Sequence, residues 1–156
     1  MMSLSKIFKQ YIKGTPEKGI VAMLTLHFCD LTRVVVKEGA FASHKVYITT
    51  RTLKHIYDSK PAEEFDSIVR KLYFLVKYPD YIYDEKSGKR GSLCFVKIFQ
   101  GVKYLCAIEK TDDCNPEDGM KGTNYVVTAF RLRAKKEKYL NNYKLLWSWK
   151  GDIPSS

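Results

Sequence analysis

One histidine stands in a stretch that predicts a strand joined directly to a helix. Within Lys45–Tyr57, a short apolar strand is followed at once by a helix for which Thr49 or Thr50 is a good N-cap. The apolar side chains of this helix share one side, so His55 points roughly the opposite way. A free histidine titrates near pH 6.5 and can serve as general acid or general base. His55 is the first candidate for chemistry, with an ordinary surface histidine as the alternative.

The charge of the chain favours an anionic partner. The 156 residues carry 27 Lys plus Arg against 17 Asp plus Glu, a formal net charge of +10. RNA, DNA and an anionic membrane are the candidates. No apolar run approaches the roughly 18 residues of a spanning helix, and no secretory signal is present at the N-terminus. We therefore expect one domain, residues 1–156, that is soluble, cytoplasmic and not bound to a membrane.

No motif indicates a metal or a cofactor. The loop Asp112–Asp118 contains four acids but lacks the spacing and central glycine of a calcium loop. The chain has no phosphate-binding glycine loop, which removes ATP, GTP and NAD from the leading interpretations. The cysteines are widely spaced, without a CxxC pair, and read as core residues of a reducing cytoplasm. They are Cys29, Cys94, Cys106 and Cys114.

The remaining elements must position any such group. Helical spacing predicts a helix over residues 3–13 and a longer one over Ala62–Lys77, while Thr32–Lys37 is a strand candidate because of its valines. Residues 134–142 read as a short basic helix, and the aromatic tail 143–150 packs back or meets a partner. Between the long helix and the basic helix, apolar residues recur with a period of two, which predicts an antiparallel meander of four strands. These strands are Tyr81–Asp84, Ser92–Phe99, Lys103–Lys110 and Tyr125–Arg133.

Two polar side chains interrupt the predicted strands. In the predicted strand Ser92–Phe99, Lys97 shares a face with apolar residues, so its ammonium must either reach solvent or meet an anion. Thr128 is predicted to share a face with Val126 and Phe130, and a threonine there is by default an ordinary strand former. Together with a helix histidine and a positive field, such residues suit RNA cleavage without metal. A base would deprotonate the ribose 2′-hydroxyl, cations would stabilise the phosphate, and an acid would protonate the leaving oxygen.

Four short motifs in order resemble a nuclease group. They are Val46-Tyr-Ile-Thr, Leu53-Lys-His-Ile, Tyr78-Pro-Asp and Val126-Val-Thr-Ala-Phe. Their order is similar to that of phage-associated nucleases of the barnase, EndoU, colicin and RelE group, over roughly residues 44 to 140. The resemblance implies an α+β fold, in which helices are followed by a four-stranded antiparallel sheet. Residues 1–43 would be an N-terminal extension packed on this core.

The resemblance also implies roles for individual residues. His55 would be the general acid or base, Thr128 a hydrogen-bond donor to the scissile phosphate, and Lys97 its charge stabiliser. Substrate contacts would come from His44, Lys45, Arg90 and Arg131, although each can equally be a solvated surface residue. Lys60 precedes Pro61 where similar proteins often carry a second histidine; if that histidine is needed for turnover, this chain would bind RNA and cut it poorly.

Three function classes stay open. The first is a metal-independent endoribonuclease, a prophage or toxin-type effector that acts on RNA, with tRNA as one candidate and an immunity or antitoxin protein as a partner. The second is a non-catalytic RNA-binding module, in which aromatic residues such as Tyr83 and Tyr104 stack bases. The third is a phage structural or protein-interaction component, for which the aromatic C-terminal tail is the only sign.

Overall fold

A computed structural model of the chain describes residues 4–85, 92–115, 119 and 121–149. Arg90, one of the predicted substrate contacts, lies outside these described residues. The first helix continues into a π-helical turn, and the last one into a 3₁₀ turn. In chain order the elements are α1 (Leu4–Ile7) with its π turn (Phe8–Ile12), β1 (Thr25–Asp30), α2 (Arg33–Glu38), β2 (Lys45–Thr49), α3 (Thr50–Ser59), α4 (Ala62–Lys77), β3 (Tyr81–Asp84), β4 (Ser92–Phe99), β5 (Val102–Cys114), β6 (Lys121–Arg131), α5 (Ala134–Glu137) with its 3₁₀ turn (Lys138–Asn142), and β7 (Lys144–Ser148).

The strands form one mixed sheet in the order β1-β2-β6-β5-β4-β3-β7. Neighbouring strands are antiparallel except β2 and β6, which are parallel where Val46 pairs with Asn124 and Tyr47 with Tyr125. The chain leaves β2 directly into α3, which then contacts β6. The short parallel pairing therefore places α3 beside the middle of the sheet.

Helix α4 covers one face of this sheet, as its apolar stripe predicts. Phe65, Ile68, Leu72 and Val76 are all buried, and two acids stand in the first turn, where the helix dipole favours them. The buried residues of α4 form one hydrophobic cluster with alternate residues of strands β3 to β6, among them Phe95. The intervening strand residues belong to a second cluster that packs against the segment after β6. The sheet is therefore covered on both faces, more completely on the α4 side.

The predicted fold class is wrong in its sheet. The four predicted strands are present as β3 to β6 and pair antiparallel in succession. However, these four strands are the middle of a seven-stranded mixed sheet. Strands β1 and β2 add to it next to β6, and β7 adds to it next to β3. The pairing of β2 with β6 joins residues far apart in the sequence, so no local turn signal encodes it. Residues 25–30, predicted as part of an extension, are a strand of the same sheet.

The segment Thr32–Lys37 is also not the strand that its valines predict, because it forms helix α2. The side-chain oxygen of Thr32 accepts a hydrogen bond from the backbone N of Val35 at 3.4 Å. At the other end, the backbone N of Gly39 donates to the carbonyl of Val35 at 2.9 Å. A capped start and a glycine stop outweigh the strand preference of valine in so short a segment.

A bulge in β6 changes which side chains share a face. Successive residues of β5 pair with Val126 and Thr128, which leaves Val127 as an extra residue. Val126 lies in the cluster with α4, whereas Phe130 belongs to the cluster on the other face. The prediction that Val126, Thr128 and Phe130 share one face is therefore wrong, since one inserted residue reverses the alternation.

Candidate functional site

Helix α3 presents His55 to solvent through a cap and a helical phase that the sequence encodes. The side-chain oxygen of Thr49 accepts a hydrogen bond from the backbone N of Thr52 at 3.1 Å, which makes Thr49 the N-cap. Leu53 and Ile56 are buried, while His55 is exposed. The predicted helical phase is confirmed, and it directs the imidazole away from the core.

The inward side of α3 is held by a lysine that the apolar pattern does not reveal. The Lys54 side chain is 6% exposed, and its Nζ donates to the carbonyl of Pro16 at 2.7 Å and to the Asp58 carboxylate at 2.6 Å. Asp58 also accepts from the backbone N of Lys18 at 3.0 Å. The hydrogen bond from Lys54 is the main cause that lowers the pKa of Asp58, with burial opposing it. These contacts fix α3 against the loop that follows the first helix.

His55 lines an open cleft between α3 and strands β5 and β6. The volume of this cleft, the His55 cleft, is about 420 Å³. The helix contributes Arg51 and His55, which are four residues apart and therefore neighbours on one helix face. The sheet contributes Glu109 and Tyr125, which are cross-strand partners. The other lining residues are Thr49, Thr52, Val126 and Val127.

The tyrosine of this cleft keeps its proton over a wide pH range. Burial raises the pKa of Tyr125 above its ordinary value of 10.0, and the Asp113 and Glu109 carboxylates raise it further. Its ring centroid lies 6.3 Å from that of Tyr47, whose hydroxyl donates to the Asn115 side-chain oxygen at 2.7 Å. Tyr125 is thus a neutral phenol packed beside a buried, hydrogen-bonded ring.

Four side chains of the His55 cleft, His55, Glu109, Arg51 and Tyr125, carry groups that can act on a phosphate ester. An imidazole and a carboxylate can divide the two proton-transfer roles of an acid–base reaction. A guanidinium can bind a phosphate through two parallel hydrogen bonds, and a phenol can donate to an oxygen or stack on a ring. This set suits chemistry on a phosphate ester with a neighbouring hydroxyl.

The structure does not bring the other two predicted catalytic residues into this cleft. Thr128 lines a separate cavity of about 230 Å³ beneath the segment that follows β6. Lys97 lines a third cleft, where its Nζ donates to the carbonyl of Tyr78 at 2.7 Å and lies 3.5 Å from the Asp80 carboxylate. Lys97 is thus held by contacts within the fold, and it does not line the cleft that contains His55.

The predicted substrate contacts are also dispersed. The His44 side chain is 57% exposed, with Nε2 3.9 Å from the Asp30 carboxylate, which is hydrogen-bonded to His27 at 2.8 Å. Lys45 is half-buried at the start of β2, and Arg131 is exposed at the end of β6. These three side chains do not line the His55 cleft.

Of the four side chains His55, Arg51, Glu109 and Tyr125, the sequence assigned a role to His55 alone. Arg51 carries a local signal, because it precedes His55 by four residues on a predicted helix. Glu109 and Tyr125 carry none, since their position depends on the register between β5 and β6 and on the packing of α3 beside β6. Only the tertiary structure reveals that part of the site.

Two findings concern other kinds of site. Among the residues that the structure describes, no three His, Cys, Asp or Glu side chains are grouped so that they could hold a metal ion. Across the same described ranges, no helix has both the length and the apolar character needed to cross a membrane. The polar groups of the His55 cleft remain the chemistry to be explained.

A comparison of the chain with protein-family models, curated proteins and solved structures finds no match. The resemblance to the barnase, EndoU, colicin and RelE group thus stays a prediction that depends on short motifs. Function has to be argued from the side chains that the fold brings together.

Proposed function

We propose that the chain is a metal-independent endoribonuclease that cleaves RNA in the His55 cleft. One observation carries the proposal: a histidine, a glutamate, an arginine and a tyrosine from three elements line the same open cleft. The net charge of +10 supports a polyanionic substrate, because it raises the local concentration of nucleic acid at the surface. RNA in the cytoplasm is the substrate that fits both features.

In the proposed reaction the ribose 2′-oxygen attacks the adjacent phosphorus. Glu109 accepts the 2′-hydroxyl proton while the new P–O bond forms, and Arg51 binds the charge that develops on the phosphate oxygens. The bond from phosphorus to the 5′-oxygen breaks, and His55 donates a proton to that leaving oxygen. The products are a 2′,3′-cyclic phosphate and a free 5′-hydroxyl. Tyr125 donates a hydrogen bond or stacks on a base.

The assignment differs from the sequence prediction in its supporting residues. His55 keeps its role as a proton-transfer group. Thr128 and Lys97 are replaced by Arg51 and Glu109, because the former line other cavities. Lys60, which stands where a second histidine was expected, is not required when Glu109 provides the base.

The test is cleavage of a single-stranded RNA in EDTA by the wild-type protein and by two histidine variants. His55→Ala is expected to lose activity by about 10² to 10⁴-fold, the usual contribution of a positioned proton-transfer group. His44→Ala is the matched control, since His44 is also exposed but lies outside the cleft. Product ends should carry 2′,3′-cyclic phosphate.

Two outcomes would reject this assignment. Cleavage that survives in His55→Ala would remove His55 from the reaction. Equal loss in His44→Ala would indicate a general effect of surface histidines rather than a site in the cleft.

RNA binding without cleavage is the second candidate function. The observation that favours it is that Tyr125 and Arg51 line the same cleft, where they could hold a base and a phosphate without any proton transfer. It predicts salt-sensitive binding of RNA that stays intact for hours in EDTA. Strand scission that depends on His55 would exclude it.

A further inference from the structure

A second cleft lies where α2, the end of α4 and β7 meet. Its volume is about 410 Å³, close to that of the His55 cleft. Both tryptophans of the chain, Trp147 and Trp149, line it, and we name it the tryptophan cleft. The other lining residues are Thr32, Val34, Val35, Lys77, Tyr78, Pro79, Asp80 and Lys97.

Large aromatic surfaces are left open to solvent at this cleft. Trp149 is 58% exposed, although tryptophan is highly buried on average, and Tyr78 is 51% exposed. Exposed aromatic side chains that line one concavity indicate a surface that a ligand covers.

The charge around the tryptophan cleft is positive. Its single acid, Asp80, already accepts a hydrogen bond from the backbone N of Ile98 at 2.8 Å and lies 3.5 Å from the Lys97 ammonium. Lys77 adds a second cation, with Nζ 5.8 Å from the centre of the Tyr73 ring. The lining residues therefore carry two cations, Lys77 and Lys97, against one acid.

We propose that the tryptophan cleft binds a base of a single-stranded nucleic acid, with the neighbouring phosphate on Lys77. Planar aromatic side chains that alternate with cations are what base stacking and backbone neutralisation require together. Every nucleobase has a face that can stack on Trp149 or Tyr78, so the site is expected to tolerate different sequences.

This site is separate from the proposed cutting site. Lys97 stands five residues along β4 from Ser92, the cross-strand partner of Glu109. Strand geometry therefore separates Lys97 from Glu109 by roughly 17 Å. Binding in the tryptophan cleft does not depend on cleavage in the His55 cleft, and the two can be tested independently.

Tryptophan fluorescence reports on this site directly, because both tryptophans line the cleft. The probe is a deoxythymidine hexanucleotide in EDTA, which lacks the 2′-hydroxyl and cannot be cut by the proposed reaction. Titration is expected to quench the emission to saturation, with an affinity that falls as salt rises. Unchanged emission at millimolar probe would overturn the proposal.

Two variants test stacking and charge separately. Tyr78→Leu keeps apolar bulk but loses the ring face, so affinity should fall about tenfold. Lys77→Gln should reduce the slope of log affinity against log salt by about 0.7, the value for one phosphate contact on a single strand. Lys138→Gln, an exposed lysine outside the cleft, is the charge-matched control and should leave affinity and slope nearly unchanged.

A different pattern would contradict the proposal. Full affinity for the hexanucleotide in Tyr78→Leu would show that no base stacks on the Tyr78 ring. Equal effects of Lys77→Gln and Lys138→Gln would indicate diffuse attraction by net charge without a site.

Discussion

Two clefts of nearly equal volume, about 420 and 410 Å³, differ in the chemistry of their walls. The His55 cleft contains an imidazole, a carboxylate and a guanidinium, the groups that move protons and bind phosphate. The tryptophan cleft contains indole and phenol rings, with lysine at its edge. Two clefts of similar volume can therefore suit different chemistry, and the types of side chain in their walls distinguish them.

A lysine supports each cleft in the same way. Lys54, behind the His55 cleft, donates to the carbonyl of Pro16 and to Asp58. Lys97, in the tryptophan cleft, donates to the carbonyl of Tyr78 and lies beside Asp80. A lysine among apolar residues can thus be a structural cross-link, and only its contacts distinguish this from a substrate cation.

The largest effect is expected on the rate of RNA cleavage, when the charge of Arg51 in the His55 cleft is removed. Arg51→Gln removes the proposed phosphate contact, so RNA cleavage should fall by about 10²-fold, as for other groups that stabilise transition-state charge. Steady-state kinetics in EDTA measures it. Arg70→Gln is the control, because Arg70 is an exposed arginine whose partner is Asp66 on the same helix. A loss below threefold in Arg51→Gln would remove Arg51 from the reaction.

A smaller effect, on stability rather than on rate, is expected for Lys97. Lys97→Met leaves the Tyr78 carbonyl without this donor, so the free energy of unfolding should fall by about 1.5 kcal/mol. Cleavage by the folded variant should stay within about twofold of the wild type. Urea denaturation and the RNA assay measure the two quantities. A tenfold loss of rate at unchanged stability would return Lys97 to the catalytic site.

The smallest effect is expected on the stability of the fold, and it depends on pH. It concerns Asp58, the carboxylate that binds Lys54 on α3. The folded-state pKa of Asp58 lies below its ordinary value of 3.8, so the ionised carboxylate stabilises the fold above that pH. This stabilisation is lost as pH falls through the lowered pKa. Asp58→Asn should therefore be less stable than the wild type at pH 6, by a difference that shrinks below pH 3.8.

Thermal unfolding across pH measures this difference. Asp66→Asn, at an exposed ion pair, is the control and should show a much smaller one. A difference between the wild type and Asp58→Asn that stays constant from pH 6 to pH 3 would contradict the role given to the carboxylate.

Local patterns of the sequence are enough to predict the elements that carry the His55 cleft. The cap at Thr49, the phase of His55, the extent of α4 and the presence of β3 to β6 are all encoded by periodicity, caps and turn residues. Each depends on contacts within a few residues, which a sequence reading can follow.

Long-range pairing is what local patterns do not encode. The parallel contact of β2 with β6, the added strands β1 and β7, and the bulge at Val127 all depend on distant partners. Glu109 and Tyr125 reach the cleft only through that register. The same reason explains why Thr128 was grouped with Val126, since a bulge leaves no mark in the alternation of a single strand.

The central claim is that nucleic acid occupies the His55 cleft as well as the tryptophan cleft, and NMR can observe both at once. The chain has three histidines and two tryptophans, so every imidazole and indole signal can be assigned by single substitutions. On addition of a deoxythymidine hexanucleotide, the imidazole signals of His55 should shift with those of the two indoles, while His27 and His44 stay in place. Indole shifts without any shift of His55 would contradict the assignment of the His55 cleft as the site of RNA cleavage.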